Sequence, residues 1–225
     1  MRWSLAFVVW IMACGGRDGD RDLAELARAA GTGDAVRIAA LLASGEDPDA
    51  AGRRGVTALH LAARENQVSA IRALVDGRAD IDLVDARNHW TPLMHAIHKV
   101  SEQAAVMLLD AGADIEARAG SGATALFMAA GYGHERIVRE LLDRRADPYA
   151  ECDDGTNALW AAAGGGAIVD FMDGPPFGTC FPQIIELLLE AGPDATLPSG
   201  LATTAVAWFA SSETCSRLVD ELPRE

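Results

Sequence analysis

The sequence is poor in basic residues. Its 225 residues include 19 Lys and Arg against 33 Asp and Glu, which gives a formal net charge of −14. Because proteins bind nucleic acid through clustered Lys and Arg, this composition disfavours a nucleic-acid partner. Aromatic residues are also few, at 6%, although half of the residues are hydrophobic. The apolar excess is mostly Ala and Leu, and it suffices for a core.

The sequence also lacks catalytic and metal-binding motifs. It contains no Ser elbow, no phosphate-binding loop and no paired-carboxylate motif. The glycines at 164–166 are not followed by the Lys and Ser/Thr of a phosphate loop. His95 and His98 lie three residues apart without a third ligand, and no two cysteines have zinc-ligand spacing. We therefore predict no enzyme, no metal and no cofactor.

The longest apolar run is short and lies at the N-terminus. After Arg2 it extends over Trp3–Ala13, which is too short to cross a bilayer about 30 Å thick but has the length of a signal-peptide core. The residues Ile11-Met12-Ala13-Cys14 before Gly15 resemble the lipobox of bacterial lipoproteins, although Ile11 and Met12 replace the usual Leu and small residue. This resemblance implies a signal peptide over residues 1–13, a lipidated Cys14 and a flexible tether over residues 14–21. An ordinary cleaved secretory signal and a mis-assigned start are the alternatives.

The remainder of the chain is organised by an internal repeat. Four short motifs begin at intervals of 34, 33 and 33 residues: Thr57-Ala58-Leu59-His60, Thr91-Pro92-Leu93-Met94, Thr124-Ala125-Leu126-Phe127 and Asn157-Ala158-Leu159-Trp160. Each is followed by small residues and then by a second amphipathic stretch, centred on Leu74, Leu108, Leu141 or Leu188. A fixed period of this length is typical of stacked repeats that share one core.

The fourth repeat shows the local pattern most clearly. Thr124 is placed to cap a helix that begins at Ala125, and Gly133 allows the positive φ needed to end it. A second helix is predicted from His134 to about Arg144, with apolar residues at 3, 4 and 7 spacing on one face.

These units resemble ankyrin repeats, whose pattern is Gly-x-Thr-Pro-Leu-His-x-Ala-Ala, over about residues 22–225. The resemblance implies an all-α solenoid of about six helix-turn-helix repeats joined by hairpin-like fingers. The predicted repeats are residues 22–54, 55–88, 89–121, 122–154, 155–200 and a terminal cap at 201–225. We name the first four fingers in chain order: finger 1 (Asp47–Val56), finger 2 (Asp80–Trp90), finger 3 (Asp114–Ala123) and finger 4 (Asp147–Thr156). A fifth is predicted at Asp194–Thr203.

Two irregularities interrupt the pattern. Finger 2 is one residue longer than the others and has Asn88 and His89 where the others have Gly. We expect Asn88 to adopt the left-handed conformation there and a local bulge to form. The fifth repeat carries an insertion at 165–179, predicted as a surface loop that packs its own apolar residues or as a protrusion that binds a partner.

The cysteines allow one disulfide hypothesis. With Cys14 assigned to lipid, alignment of the repeats places Cys152 in finger 4, and Cys180 and Cys215 near the starts of second helices in adjacent repeats. A Cys180–Cys215 disulfide is therefore reasonable in an oxidising compartment, and three ordinary thiols are the alternative.

The resemblance also implies where a partner would bind. Ankyrin arrays bind through their finger tips and the exposed ends of their first helices. By register, the partner-binding residues are predicted to be Arg53, Arg54, Arg64, Glu65, Arg87, Trp90, His98, Lys99, Tyr132, Asp153 and Asp154. Trp90, flanked by Arg, has the composition of an interface hot spot if it is exposed; packing on its own finger is the alternative. His60 is expected to order its turn by hydrogen bonding.

The sequence therefore favours a non-catalytic, monomeric protein-binding module of a bacterial cell envelope, attached to the membrane only by a lipid anchor. A cytosolic adaptor or inhibitor subunit with a mis-assigned start is the second hypothesis, and a secreted or periplasmic location is also open. An enzyme with its site in the insertion, at Asp170, Asp173 and Cys180, is the third. The identity of the protein partner is not predicted.

Overall fold

The computed structural model describes residues 18–164 and 179–193. All regular secondary structure in these ranges is helical, and the one backbone bridge, between Glu151 and Asn157, is isolated. The helices are α1 (Asp18–Thr32), α2 (Ala35–Ala43), α3 (Ala58–Arg64), α4 (Val68–Asp76), α5 (Pro92–His98), α6 (Glu102–Asp110), α7 (Ala125–Tyr132), α8 (Glu135–Asp143), α9 (Ala158–Gly164) and α10 (Pro182–Ala191).

The chain divides into two compact units, Met1–Ala113 and Asp114–Glu225. In the N-terminal unit, the first helices α1, α3 and α5 pack in one layer and the second helices α2, α4 and α6 pack in another. In the C-terminal unit, α7 packs against α9 and α8 packs against α10 in the same two-layer manner. Within each unit, a helix pair thus buries its apolar face against the next pair.

The two layers differ in the size of their buried side chains. The first helices bury small residues such as Ala62, Ala63 and Ala129, which allow close approach of neighbouring helices. The second helices bury branched residues such as Ile71 and Leu74, both fully inaccessible to solvent. Each such aliphatic side chain contributes about 1.5–3 kcal/mol through burial. The all-helical repeat architecture predicted from the sequence is confirmed.

The helix starts follow the predicted capping chemistry. Thr124 Oγ1 accepts a hydrogen bond from Phe127 N–H at 3.2 Å, and Thr57 and Thr91 do the same for the helices that follow them. Asn157 Oδ1 accepts from Trp160 N–H at 2.9 Å and so replaces Thr in the fourth motif. These caps satisfy backbone donors that have no partner within the helix.

The first helices end on residues in the left-handed region. Gly133 ends α7 with φ 79°, as predicted, and Gly33 follows α1 with φ 78°. The corresponding residues after α3 and α5 are Asn66 (φ 55°) and Val100 (φ 58°). A β-branched residue is strained in this region because its side chain crowds the backbone. Val100 is therefore the least suitable of these four residues for its position.

Carboxylates connect successive fingers within each unit. Asp80 N–H, at the start of finger 2, donates to Asp49 Oδ1 in finger 1 at 2.8 Å. Asp147 N–H, at the start of finger 4, donates to Glu116 Oε1 in finger 3, also at 2.8 Å. In both cases a side chain of one finger binds the backbone of the next.

One predicted boundary needs correction. Helix α1 begins at Asp18, so residues 18–21 are helical and do not belong to a flexible tether. Acidic residues are favourable in the first turns of a helix, and this segment has the sequence Asp-Gly-Asp-Arg-Asp.

Several predictions concern residues outside the described ranges. These are the signal peptide, Cys14, most of the insertion with Asp170 and Asp173, the fifth finger, Cys215 and the terminal cap. None of the helices in residues 18–164 and 179–193 is long and apolar enough to cross a bilayer.

Candidate interaction surface

Three of the four fingers share one hairpin geometry. A backbone hydrogen bond closes each across four residues, with N···O distances of 2.7–3.0 Å: Gly52 to Val56, Ala119 to Ala123 and Cys152 to Thr156. A glycine with φ between 71° and 78° completes each turn: Gly55, Gly122 and Gly155. Backbone hydrogen bonds within the finger therefore close each of these three tips.

Finger 2 differs because it contains the extra residue. Its closing hydrogen bond, from Asp85 N–H to Trp90 O at 2.9 Å, spans five residues, which gives the predicted bulge. The Asp85 carboxylate closes the longer turn: its Oδ1 accepts from Arg87 N–H at 2.9 Å and Asn88 N–H at 2.7 Å. His89, and not Asn88 as predicted, has the positive φ (54°), because it occupies the register position of Gly55 and Gly122.

The Asp85 carboxylate is buried and bound by a histidine. His95 Nε2 lies 2.7 Å from Asp85 Oδ2, and both side chains are less than a tenth exposed. Burial alone would raise the pKa of Asp85, but hydrogen bonds from His95 and from Asn88 N–H outweigh it and hold the pKa well below its usual range. Burial lowers the pKa of His95, against the opposing effect of Asp85. At neutral pH the pair is a carboxylate and a neutral imidazole.

His60 fixes the other end of finger 2. Its Nδ1 accepts from Thr57 N–H at 3.1 Å, and its Nε2 lies 3.1 Å from the Trp90 carbonyl oxygen. Because a carbonyl oxygen can only accept, neutral His60 carries its proton on Nε2. Burial, together with the charge of nearby His95, lowers the pKa of His60 to about 4. The expectation that His60 orders its turn is confirmed, and the ordering extends to the next finger.

Trp90 is not an exposed anchor, and that prediction is wrong. Only 2% of Trp90 is exposed, and its ring packs against His95 and His98 with centroids 5.5 and 5.1 Å apart. Its Nε1 is buried without a hydrogen-bond partner among the described residues. The repeat register did hold a signal. Trp90 stands directly before the capping residue Thr91, and the residues at the same position in the next two repeats, Ala123 and Thr156, are buried.

Two further predicted contact residues are buried. His98 is 9% exposed and packs on Trp90, while Tyr132 is 8% exposed and stacks on His134 at 5.7 Å. Both lie in the last turn of a first helix, where the register placed them at the surface. Large side chains at this position instead fold back onto their own repeat, which the helical period alone could not indicate.

The remaining predicted contact residues lie at least partly at the surface. Arg53, Arg54 and Arg87 are exposed at the tips of fingers 1 and 2. Asp153 and Asp154 are exposed at the tip of finger 4. Glu65 is exposed at the end of α3, whereas Arg64 and Lys99 are half-buried. In the N-terminal unit the exposed finger tips are basic, and in the C-terminal unit that of finger 4 is acidic.

The two cysteines in the described ranges are not reactive thiols. Burial raises the pKa of the Cys152 thiol to about 11, and Cys152 is not in a disulfide. Cys180 is disulfide-bonded. Since Cys215 lies outside the described ranges, the proposed pairing stays a prediction.

Within the part of the chain that the structure describes, no group of three His, Cys, Asp or Glu could hold a metal ion. An open groove of about 540 Å³ lies in the layer of second helices between α2 and α4, lined by Ala35, Val68, Ser69, Arg72, Ala73 and Asp76. The groove has neither a histidine nor a cysteine in its lining.

Paired helices, capping Thr residues and closed hairpins define a class of tandem helix-turn-helix repeat proteins. A family model described as ankyrin repeats in three copies matches residues 26–119, and a model of the single ankyrin repeat matches residues 121–153. Together these matches cover more than half of the 225 residues. The chain belongs to the ankyrin-repeat family.

Curated relatives share this part of the chain. It is 39% identical over 87 residues to the B-cell lymphoma 3 protein homolog of Mus musculus, covering 39% of the chain and 19% of that protein. It is 36% identical over 127 residues to the probable E3 ubiquitin-protein ligase XBOS31 of Oryza sativa subsp. japonica, covering 54% of the chain and 28% of that protein. It is also 38% identical over 71 residues to ankyrin repeat and SAM domain-containing protein 6 of Mus musculus, covering 32% and 8%. The matches therefore span less than a third of each relative. Membership of this family supports a protein–protein interaction module.

Proposed function

We propose that this chain is a non-catalytic protein that binds one protein partner through the exposed tips of its fingers. The observation that carries the proposal is the construction of the fingers. Backbone hydrogen bonds close each hairpin, buried Asp85 fixes finger 2, and charged side chains remain at the tips. Such preformed loops lose little conformational entropy when a partner binds.

The chemistry of the buried groups supports a role without catalysis. His60 and His95 hold finger 2 in place, and burial lowers the pKa of both. The raised pKa of Cys152 leaves its thiol protonated at neutral pH, which makes it a poor nucleophile. The polar side chains of this cluster serve the fold and face one another instead of an open cleft.

The surface proposal can be tested with charge-matched variants of the full chain. Replacing Arg54, Arg87, Asp153 and Asp154 by Ser removes two positive and two negative charges from the finger tips. The control replaces Arg72, Asp76, Glu135 and Arg139 by Ser, removing the same charges from the exposed side of α4 and α8. In a pull-down from native membranes, the tip variant should lose the bound protein and the control should keep it. Equal retention by both variants would refute a fingertip surface.

We further propose that the protein is a lipoprotein anchored through Cys14. Support comes from the apolar run Trp3–Ala13 and the lipobox-like residues before Gly15. A lipid anchor on Cys14 would raise the local concentration of the array at the membrane. Metabolic labelling with a fatty acid should label the wild type and not Cys14→Ser. Absence of label on the wild type, with residues 1–13 retained, would favour a cytosolic adaptor with a mis-assigned start.

A further inference from the structure

The tips of fingers 1 and 2 form one surface in the N-terminal unit. Ala86 N–H donates to the Arg54 carbonyl oxygen at 2.7 Å, so the two tips are in backbone contact. A Cβ atom on Gly55 would lie 2.8 Å from Ala86 N, which confirms how closely they approach. The exposed residues Arg53 and Arg54 of one tip therefore lie beside Arg87 of the other. We call these three residues the basic tip.

The guanidinium groups of the basic tip have no ion-pair or hydrogen-bond partner among the described residues. Other arginines of the described ranges do form ion pairs: Arg37 with Glu25, Arg139 with Glu135 and Arg144 with Glu140. The chain has an excess of carboxylates, with 33 Asp and Glu, yet none of those within residues 18–164 and 179–193 pairs with these three groups. Guanidinium groups bind carboxylates in a planar, two-point geometry, and this site is open to a carboxylate from another molecule.

The backbone of the basic tip is held in a demanding conformation. Gly55 N–H donates to Gly52 O at 3.1 Å and closes the turn, which places Arg54 in the left-handed region at φ 69° and ψ 20°. Glycine adopts this conformation more easily than any residue with a side chain. Strained positions of this kind cluster at binding sites, where the side chain has a use that offsets the strain.

The charges of the chain favour an acidic protein segment over nucleic acid as the ligand of the basic tip. A nucleic-acid site neutralises many phosphates with Lys and Arg, whereas the basic tip offers three Arg on a chain of net charge −14. The field of the whole chain would repel a polyanion at long range, but three exposed guanidinium groups on two adjoining tips suit two or three carboxylates of a short segment.

We infer that the basic tip, Arg53, Arg54 and Arg87, is the docking site for an Asp/Glu-rich segment of the partner protein. This inference rests on the proposed function, because it assigns partner chemistry to part of the same surface. It adds the sign of the charge that is recognised: the N-terminal unit selects for negative charge on its partner.

Site-specific photocrosslinking separates this inference from the proposed function. A photoreactive phenylalanine at position 53 of the full chain leaves Arg54 and Arg87 in place, and native membranes are irradiated with this protein. The crosslinked peptide, identified by mass spectrometry, should be rich in Asp and Glu. Neutral or basic peptides, or crosslinked nucleic acid, would overturn the inference. If the tip captures no protein and the pull-down variants also fail to differ, the proposed function fails as well.

Charge reversal provides the second arm. Arg54→Glu with Arg87→Glu should reduce the crosslinking yield at least tenfold, whereas Arg72→Glu with Arg139→Glu should change it less than twofold. Replacing the acidic residues of the identified segment by Lys should restore crosslinking to the reversed tip. An equal loss in both double variants, or no restoration by Lys, would contradict direct recognition of carboxylates. Circular dichroism of each variant checks that the helices remain.

Discussion

Residues Asp80–Val100 and Asp114–Gly133 occupy the same place in successive repeats and reach the same hairpin and helix by different chemistry. The second stretch uses Gly122 in its turn, Ala123 before the cap and Gly133 after the helix. The first uses His89, Trp90 and Val100 at these positions and closes its turn with the Asp85 carboxylate. The comparison teaches that one extra residue in a finger can be accommodated when a buried side chain supplies the missing acceptor.

The extra residue of finger 2 also affects side chains outside the turn. Burial of Asp85 requires His95 as a partner, and His95 in turn contacts the rings of His60 and Trp90, with centroids 5.0 and 5.5 Å apart. The regular finger has no such requirement, because Ala119 stands at the position of Asp85 and accepts the turn hydrogen bond through its carbonyl oxygen. Finger 2 should therefore be the more sensitive of the two to mutation and to pH.

The largest effect is expected for Trp90→Ala, which gives finger 2 the residue of finger 3. Removing a fully buried Trp should lower the free energy of unfolding by about 3–5 kcal/mol, measured by urea denaturation and circular dichroism. Trp90→Phe should lower the free energy of unfolding by less than half of that amount, because an aromatic ring remains and Trp90 Nε1 makes no hydrogen bond with the described residues. A loss below about 1 kcal/mol for Trp90→Ala would mean that the ring is not packed.

Asp85→Ala should cost about 2–3 kcal/mol, because Arg87 N–H, Asn88 N–H and His95 lose their acceptor. Removing the exposed hydroxyl in finger 3 with Ser121→Ala should change stability by less than about 0.5 kcal/mol. Deleting Asn88 and replacing His89 by Gly would give finger 2 the length and turn residue of finger 3. In that background Asp85→Ala should cost clearly less, and an unchanged cost would contradict the explanation by loop length.

Stability should fall between pH 7 and pH 5 through the two buried histidines that hold finger 2, His60 in α3 and His95 in α5. Because the folded pKa of His60 is about 4, below the unfolded value of 6.5, the unfolded chain binds more protons in this window. Stability is lost as pH falls from 6.5 towards 4, by about 2 kcal/mol at pH 5 from His60 alone. The lowered pKa of His95 acts in the same direction.

The depressed pKa of Asp85 acts at lower pH. Its contribution is present above the unfolded value near 3.8 and is lost as pH falls through the lower folded value. Urea denaturation at a series of pH values measures both effects. His60→Asn should flatten the slope between pH 7 and pH 5, whereas His89→Gln, at the exposed tip, should leave it unchanged. An equally steep slope in both variants would remove His60 from the explanation.

The smallest effect is expected at the helix ends. Val100→Gly should raise stability by about 0.5–1 kcal/mol, because it relieves a left-handed β-branched residue that is 60% exposed. The reverse kind of change, Gly133→Ala, should destabilise, since φ is 79° and the new Cβ would lie 2.3 Å from the Phe181 ring. Thermal unfolding of both variants, with opposite shifts in Tm, tests the comparison; a lower Tm for Val100→Gly would contradict it.

Features governed by short-range chemistry could be predicted from the sequence. The Thr124 cap, the end of α7 at Gly133 and the extent of α8 depend on residues within one or two turns, and the structure confirms them. The repeat period and the division between small and bulky helices follow from the same kind of evidence. These features need no knowledge of how distant parts of the chain meet.

Features that depend on long-range packing could not be predicted in this way. The contact between Asp85 and His95 arises only once the extra residue of finger 2 displaces the turn. Trp90 was judged by its Arg neighbours, although its register position faces inward. For the same reason His89 rather than Asn88 takes the left-handed conformation. Its position in the hairpin fixes its backbone conformation, and the intrinsic preference of Asn for this conformation is secondary.

The carboxylate links from Asp49 to Asp80 and from Glu116 to Asp147 have a mechanical consequence. Each joins one finger to the next, so a pulling force along the chain of its unit would load this hydrogen bond together with the packing between helix pairs. Repeats of this kind should detach one after another under tension, each releasing about 33 residues, or roughly 110 Å of extended chain. If the array is tethered as proposed above, it would lengthen in steps when its partner is pulled away.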